Sequence, residues 1–257
     1  MIAALGLGVL IGILLGLLGG GGSILAVPAL VYGVGVPIAA AIPMSLVVVG
    51  VSAAAALIPR LRAGQIRWRI AAIFGVTGAG AAFAGAAVNR LLDPRLVLAG
   101  FALLMIAAGI RMLTGTDTIG GDCALPEGGV NWRGCLPKSI AAGLAVGFLT
   151  GLFGVGGGFL IVPAFVLLLG LPMGTAVATS LAVIVINSGA GFAAHLGEAH
   201  LDLGLTLAFA GAAIVGSLLA GRVARRVPTG RLQHWFAYLV FVVAAFVLIQ
   251  VVVGGPG

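Results

Sequence analysis

The sequence predicts an all-α polytopic membrane protein made of two inverted-topology repeats. Each repeat is expected to hold a glycine-broken helical hairpin plus three transmembrane helices. Three observations predict this. The 257 residues are 61% hydrophobic and only 7% charged, against about 25% charged in an ordinary soluble domain. Several charge-free runs approach ~20 residues, the length that crosses a ~30 Å hydrocarbon core. Glycines and prolines also recur at one fixed offset along the chain.

The apolar segments fall at 2–18, 24–34, 38–59, 70–89, 96–113, 139–152, 159–169, 173–194, 203–221 and 233–253. They are continuously apolar, which excludes the ~10-residue alternating segments of a membrane barrel. Residues 114–137 form the one sizeable polar loop. It separates repeat one (1–113) from repeat two (138–257). GILLGLLGGGGSILAVPALVYGVGVP, from Gly12, aligns without a gap on GFLTGLFGVGGGFLIVPAFVLLLGLP, from Gly147. Gly16 pairs with Gly151, Gly19 with Gly154, Pro28 with Pro163, Pro37 with Pro172 and Ser45 with Ser180, a shift of 135 throughout. Apolar composition produces chance Leu and Val matches. It does not produce paired glycines and prolines at one offset, so the chain is read as a tandem duplication.

Loop charge orients the repeats. The loop after the second long segment of repeat one carries Arg60, Arg62, Arg67 and Arg69, while its partner carries Glu198, Asp202, His195 and His200. The next pair of loops reverses the bias. Arg90, Asp93 and Arg95 stand against Arg222, Arg225, Arg226 and Arg231. Basic residues favour the cytoplasm, so the halves are expected to face opposite ways. Inversion needs an odd number of crossings per repeat, and 38–59, 70–89 and 96–113 supply three. Segment 2–34 would be about 50 Å long as one helix, and its second limb only about 16 Å. A hairpin dipping to mid-depth satisfies both lengths, with tips at Gly19–Ser23 and Gly154–Gly158.

The net charge of +7 sits in short loops, so nucleic acid is excluded as a partner. The expected partners are a small anionic substrate and the lipid bilayer, and a homo-oligomer is compatible. The first span begins without a basic n-region, so no cleaved leader is expected. There is no nucleophile–base arrangement, no HExxH and no GxxxxGK[ST]. The chain is therefore read as a non-enzyme without cofactors or a metal. Cys123 and Cys135 share the polar loop. A disulfide between them is allowed if the loop faces an oxidising compartment; the topology makes the loop cytoplasmic, with both thiols reduced in cells.

The glycine tips are the candidate anion site. A helix N-terminus carries roughly +0.5 charge and several free N–H groups, and broken helices at mid-depth are a recurring transporter design. The candidate ligands in repeat one are Gly19, Gly20, Gly21, Gly22 and Ser23; in repeat two they are Gly154, Gly156, Gly157 and Gly158. Pro28 and Pro163 are expected in or near the first turn of the helix after each run. All charges can be placed in loops or at span ends, which leaves dipoles and hydroxyls to hold the anion. The hydroxyl and amide candidates are Ser45, Ser52, Thr179, Ser180 and Asn187. For a lone serine, a bond to its own helix carbonyl is the simpler role. Arg60 and His195, partners at matching span ends, are candidate gates. Gly80/Ala84 and Gly216/Ala220 are expected at close helix contacts.

LGGGGSILAVPAL with GVPIAAAIPMSL, and FGVGGGFLIVPAF with GLPMGTAVATSL, resemble the duplicated motifs of the TauE/SafE sulfite exporter family. The resemblance covers nearly the whole chain. It implies a secondary transporter in a bacterial or archaeal cytoplasmic (inner) membrane that exports sulfite or a small organosulfonate. The residues themselves point to a small, dipole-bound anion. A carrier for a carboxylate or thiosulfate, a passive anion channel and a non-transporting membrane scaffold all remain open.

Overall fold

The computed structural model describes residues 2–89, 91–114, 132–153, 158–194, 202–224 and 229–253. These residues form helices and short turns and contain no strand. Repeat one comprises α1 (Ile2–Leu18), α2 (Gly21–Pro28) with a π-helical turn at Ala29–Gly33, α3 (Ile38–Arg62), α4 (Trp68–Asn89) and α5 (Pro94–Thr114). Repeat two comprises α6 (Trp132–Phe153), α7 (Gly158–Leu167), α8 (Met173–Ala194), α9 (Leu203–Ala224) and α10 (Thr229–Val253). Among the described residues, 7 helices are long and apolar enough to cross a membrane: α3 to α6 and α8 to α10. Six were expected. The seventh is α6, which starts inside the segment read as polar loop and accommodates Pro137 near its beginning.

The duplication persists in the helix boundaries. α3 and α8 begin at 38 and 173, α4 and α9 at 68 and 203, and α5 and α10 at 94 and 229. α1 and α6 end at 18 and 153. Gly35 and Gly170, also partners, both turn the chain with a left-handed backbone before α3 and α8.

The helices gather into two compact units, and each unit draws on both repeats. Unit 1 is Met1–Ala72 with Gly174–Pro228; unit 2 is Ile73–Met173 with Thr229–Gly257. In unit 1, α1 lies along α9. Gly8, Gly12 and Gly16 share one face of α1, because residues four apart stack on a helix. A Cβ at Gly8 would stand 2.8 Å from the Phe209 carbonyl oxygen, and Cβ atoms at Gly12 and Gly16 would strike the backbones of Ala213 and Ser217. Gly216 answers from α9 against the backbones of Val9 and Ile13. In lipid, helix association rests on such close packing, since the tails are as apolar as the side chains. The second limb folds back on α1. Gly22 meets Ile11 and Leu15, and Gly33 meets Leu7, which is the antiparallel hairpin the sequence predicts.

Unit 2 repeats the same contacts with the repeats exchanged. Gly143, Gly147 and Gly151 on α6 face Phe74 and Thr77, Gly78, and Ala82 on α4. Each of these residues is the 135-residue partner of one in unit 1, Thr77 being the partner of Ala212, which Gly8 also meets. Gly85 on α4 abuts Phe148 and Leu152. Helices α5 and α10 pair beside them, with Gly109 under the ring of Phe241.

Three expectations are corrected. Gly80 and Ala84 are exposed, and a Cβ at Gly80 meets nothing within 4 Å. They lie on the face of α4 turned away from α6, so of the two expected pairs only Gly216/Ala220 is interfacial. Pro28 closes α2 instead of opening it. It lacks an N–H and its ring crowds the carbonyl four residues back, and the chain widens into the π turn directly after it. Pro163 likewise lies inside α7. Cys135, expected as a free thiol, is fully buried and disulfide-bonded. The chain's other cysteine, Cys123, falls outside the described residues.

Candidate functional site: the first glycine break

Helix α1 ends because Gly19 adopts φ +72, a left-handed conformation that costs glycine little. The Gly19 N–H closes the last turn on the Leu15 carbonyl at 2.9 Å. Gly20, with φ −159, then acts as N-cap of α2 and supplies no side chain to cap it. The first N–H groups of α2 therefore lack a side-chain partner, in a segment where Gly21, Gly22 and Ser23 are all buried. The left-handed residue of this tip is Gly19.

The break also orphans a carbonyl. In a continuous helix the Gly16 carbonyl would accept from the residue four positions on. Here Arg60 Nη2 donates to it at 3.2 Å, and Arg60 Nη1 donates to the Gly174 carbonyl, at the start of α8, at 3.4 Å. Basic side chains favour the C-terminal end of a helix dipole. Arg60 is only 5% exposed. It continues a buried stripe along α3, Met44–Val48–Ser52–Ala56–Arg60, spaced one turn apart. Arg60 does stand in the last turn of its span, as expected, but it is buried there. Because α3 runs on to Arg62, Arg60 is inside the protein, and the predicted gate and the predicted tip are one place.

Two hydroxyls complete the surroundings. The Ser180 hydroxyl has one proton within reach of two carbonyls, Val177 at 2.9 Å and Gly19 at 3.2 Å. A Cβ at Gly19 would press on Val177 and lie 2.9 Å from Ser180 Oγ. Thr179 is fully buried, and its Oγ1 accepts the Arg67 backbone N–H at 3.2 Å, which ties the turn after α3 to α8. Gly16 meets Ser217, seven residues before α9 ends at Ala224. Contacts rise together along α1 and α9, so the break at Gly19–Gly20 lies about 5 Å from that end of α9, rather than halfway along it.

The other candidates separate from this group. Ser23 donates to the Gly20 carbonyl, and Ser45 to the Ile42 carbonyl, both at 2.7 Å. Thr77 and Ser217 likewise bond back to their own helices. Ser52 is fully buried, and its Oγ is the one buried side-chain oxygen without a hydrogen-bond partner among the described residues. Its repeat partner Asn187 is exposed on α8. Gly158 opens α7 and is buried. Gly154, Gly156, Gly157 and His195 lie outside the described residues.

The residues flanking the second glycine run are aromatic. Phe153, the last residue of α6, and Phe159, the second of α7, both pack on Phe101, with ring centroids at 5.2 Å and 5.7 Å. Asn89 Nδ2 donates to the Leu152 carbonyl at 2.5 Å, the counterpart of Arg60 on Gly16. The two caps are thus a cation in unit 1 and a neutral amide in unit 2.

A family model for the sulfite exporter TauE/SafE matches residues 4–247. The chain belongs to the TauE/SafE family. It is 37% identical over 254 residues to a probable membrane transporter protein of Xylella fastidiosa strain Temecula1, covering 96% of this chain and 95% of that protein. It is 27% identical over 243 residues to the probable membrane transporter protein YunE of Bacillus subtilis, covering 87% and 88%. A probable membrane transporter protein of Methanocaldococcus jannaschii, MJ0441, is 28% identical over 197 residues, covering 74% and 70%. No solved structure matches the chain. Family membership and the apolar helices make this TauE/SafE member a multi-pass membrane transporter.

Proposed function

We propose that this TauE/SafE protein is a secondary transporter that exports a small sulfur-containing anion, such as sulfite or an organosulfonate. The observation that carries the reading is Arg60, a buried guanidinium beside the Gly19–Gly20 break. The N-terminus of α2, which no side chain caps, adds N–H donors at the same break. A cation and a helix N-terminus are complementary to an oxyanion. The family's name supports the sulfur chemistry. The distribution of basic residues supports inverted repeats in a cytoplasmic membrane, with loops 60–69 and 222–231 inside and loops 90–95 and 195–202 outside.

The test is counterflow of labelled sulfite and of an alkanesulfonate in proteoliposomes. Saturable exchange that unlabelled sulfonate inhibits is expected. Linear, non-saturating flux would make the protein a channel, and exchange of short carboxylates alone would reassign its substrate.

A further inference from the structure

The buried charge around the first break also bears on the charge of the cargo, an inference that rests on the anion-carrier reading above. Among the described residues Arg60 is the one charged side chain that is buried. Its guanidinium donates to two carbonyl oxygens, of Gly16 and Gly174, and no carboxylate among the described residues pairs with it. Carbonyls satisfy N–H groups but bring no net charge. The dipole ends at the break offset one another, because α1 presents roughly −0.5 charge and α2 roughly +0.5 within a few residues. Among its described residues, unit 1 therefore holds one buried positive charge with no carboxylate partner, and such a charge is costly until a counter-charge arrives. A guanidinium has five N–H groups in one plane. With two committed to carbonyls, others remain to take an oxyanion through paired N–H···O bonds.

We propose that the site selects singly charged oxyanions, a sulfonate or hydrogensulfite, over doubly charged ones such as sulfate, and that Arg60 is the residue that sets this preference. A monoanion brings the site to neutrality. A dianion leaves a net negative charge in the same low-dielectric surroundings and gives up far more hydration to enter, since ion solvation rises with the square of the charge. Sulfate and methanesulfonate share three S–O oxygens in the same tetrahedral arrangement, so charge is the principal difference that the site has to read.

The experiment compares methanesulfonate with sulfate on the purified full-length protein, at neutral pH and matched ionic strength, by calorimetry and by thermal shift. Methanesulfonate is expected to bind saturably and to raise the melting temperature, with sulfate weaker by about tenfold or more. Arg60→Gln keeps an amide donor for the Gly16 carbonyl and removes the charge. It is expected to weaken methanesulfonate by about ten- to a hundred-fold, to abolish the preference over sulfate, and to leave the ligand-free melting temperature unchanged or higher. Should the variant fold poorly, the two-anion comparison on the native protein still decides the matter. Sulfate binding as tightly as methanesulfonate overturns the charge selection and leaves the anion carrier standing. Full methanesulfonate affinity in Arg60→Gln overturns the role of Arg60. Binding of neither anion, nor of sulfite, overturns the carrier reading and this inference together.

Discussion

Units 1 and 2 share a backbone plan and differ in what surrounds their glycine breaks. In each, three glycines at four-residue spacing seat one helix of the broken hairpin on a helix from the other repeat, and the contacts correspond at the 135-residue offset. Around the first break stand Arg60, Ser180 and the Thr179 bond to the turn after α3. Around the second stand Phe101, Phe153 and Phe159, with Asn89 as the donor to the broken helix. The duplication has kept the groups that let two backbones touch. Among the described residues, the side chains beside the two breaks differ: a buried cation stands at the first and three phenylalanine rings flank the second.

The largest effects should come from breaking the shared scaffold. Gly12→Leu and Gly147→Leu each drive a side chain into the partner backbone. Overpacking of this kind costs about 1–3 kcal/mol or more, and here the obstacle is main chain, so little folded protein is expected from either. Gly216→Leu should behave the same way, whereas Gly80→Leu should express and melt like the native protein. Normal melting of the Gly12 variant beside a collapsed Gly147 variant would show that the units are not equivalent.

Next in size is Gly19→Val. It places a β-branched residue at positive φ and presses on Val177 and Ser180, at about 1–3 kcal/mol of backbone strain. Anion affinity should fall with stability. Unaltered binding in that variant would remove the break from the site. Smaller again is Phe101→Leu in unit 2, which loses two ring contacts at about 0.5–1.5 kcal/mol each. It should lower the melting temperature while leaving anion affinity alone. Ser52→Ala should be the mildest. It removes an unpartnered buried hydroxyl, so stability should hold or rise slightly; a drop in affinity would place Ser52 on the anion path.

Much of the fold was legible because glycine and proline punctuate the chain. The paired runs place the breaks, and α8 covers the very segment that the apolar pattern outlined, 173–194. The fate of Arg60 was harder to read. An arginine after an apolar span is ordinarily interfacial, and its partners Gly16 and Gly174 are 44 and 114 residues away. One signal was present in the sequence, since Arg60 continues the four-residue rhythm Met44–Val48–Ser52–Ala56 that the fold buries. The partner of Thr179 is likewise distant in sequence, a backbone N–H 112 residues away. Small residues at Gly80 and Gly216 look alike as spacing, and only the neighbouring helix decides which is interfacial.

Cys135 opposes two arguments. Disulfides persist in oxidising compartments, yet the proposed orientation puts segment 114–137 in the cytoplasm. The bond is accordingly expected to be open in cells and to close after purification in air. Alkylation of the denatured protein from acid-quenched cells, without reductant, should modify Cys123 and Cys135, and a bond found closed there would count against the orientation proposed for the loops.

The most direct test sets the two helix-capping donors against each other. Arg60→Gln and Asn89→Leu each alter the side chain that bonds the last turn before a glycine break. Counterflow of labelled methanesulfonate in proteoliposomes should collapse in Arg60→Gln at near-native melting temperature. In Asn89→Leu it should persist, at a stability cost of about 1 kcal/mol. Equal transport in the two variants would contradict the assignment of the anion site to the first break.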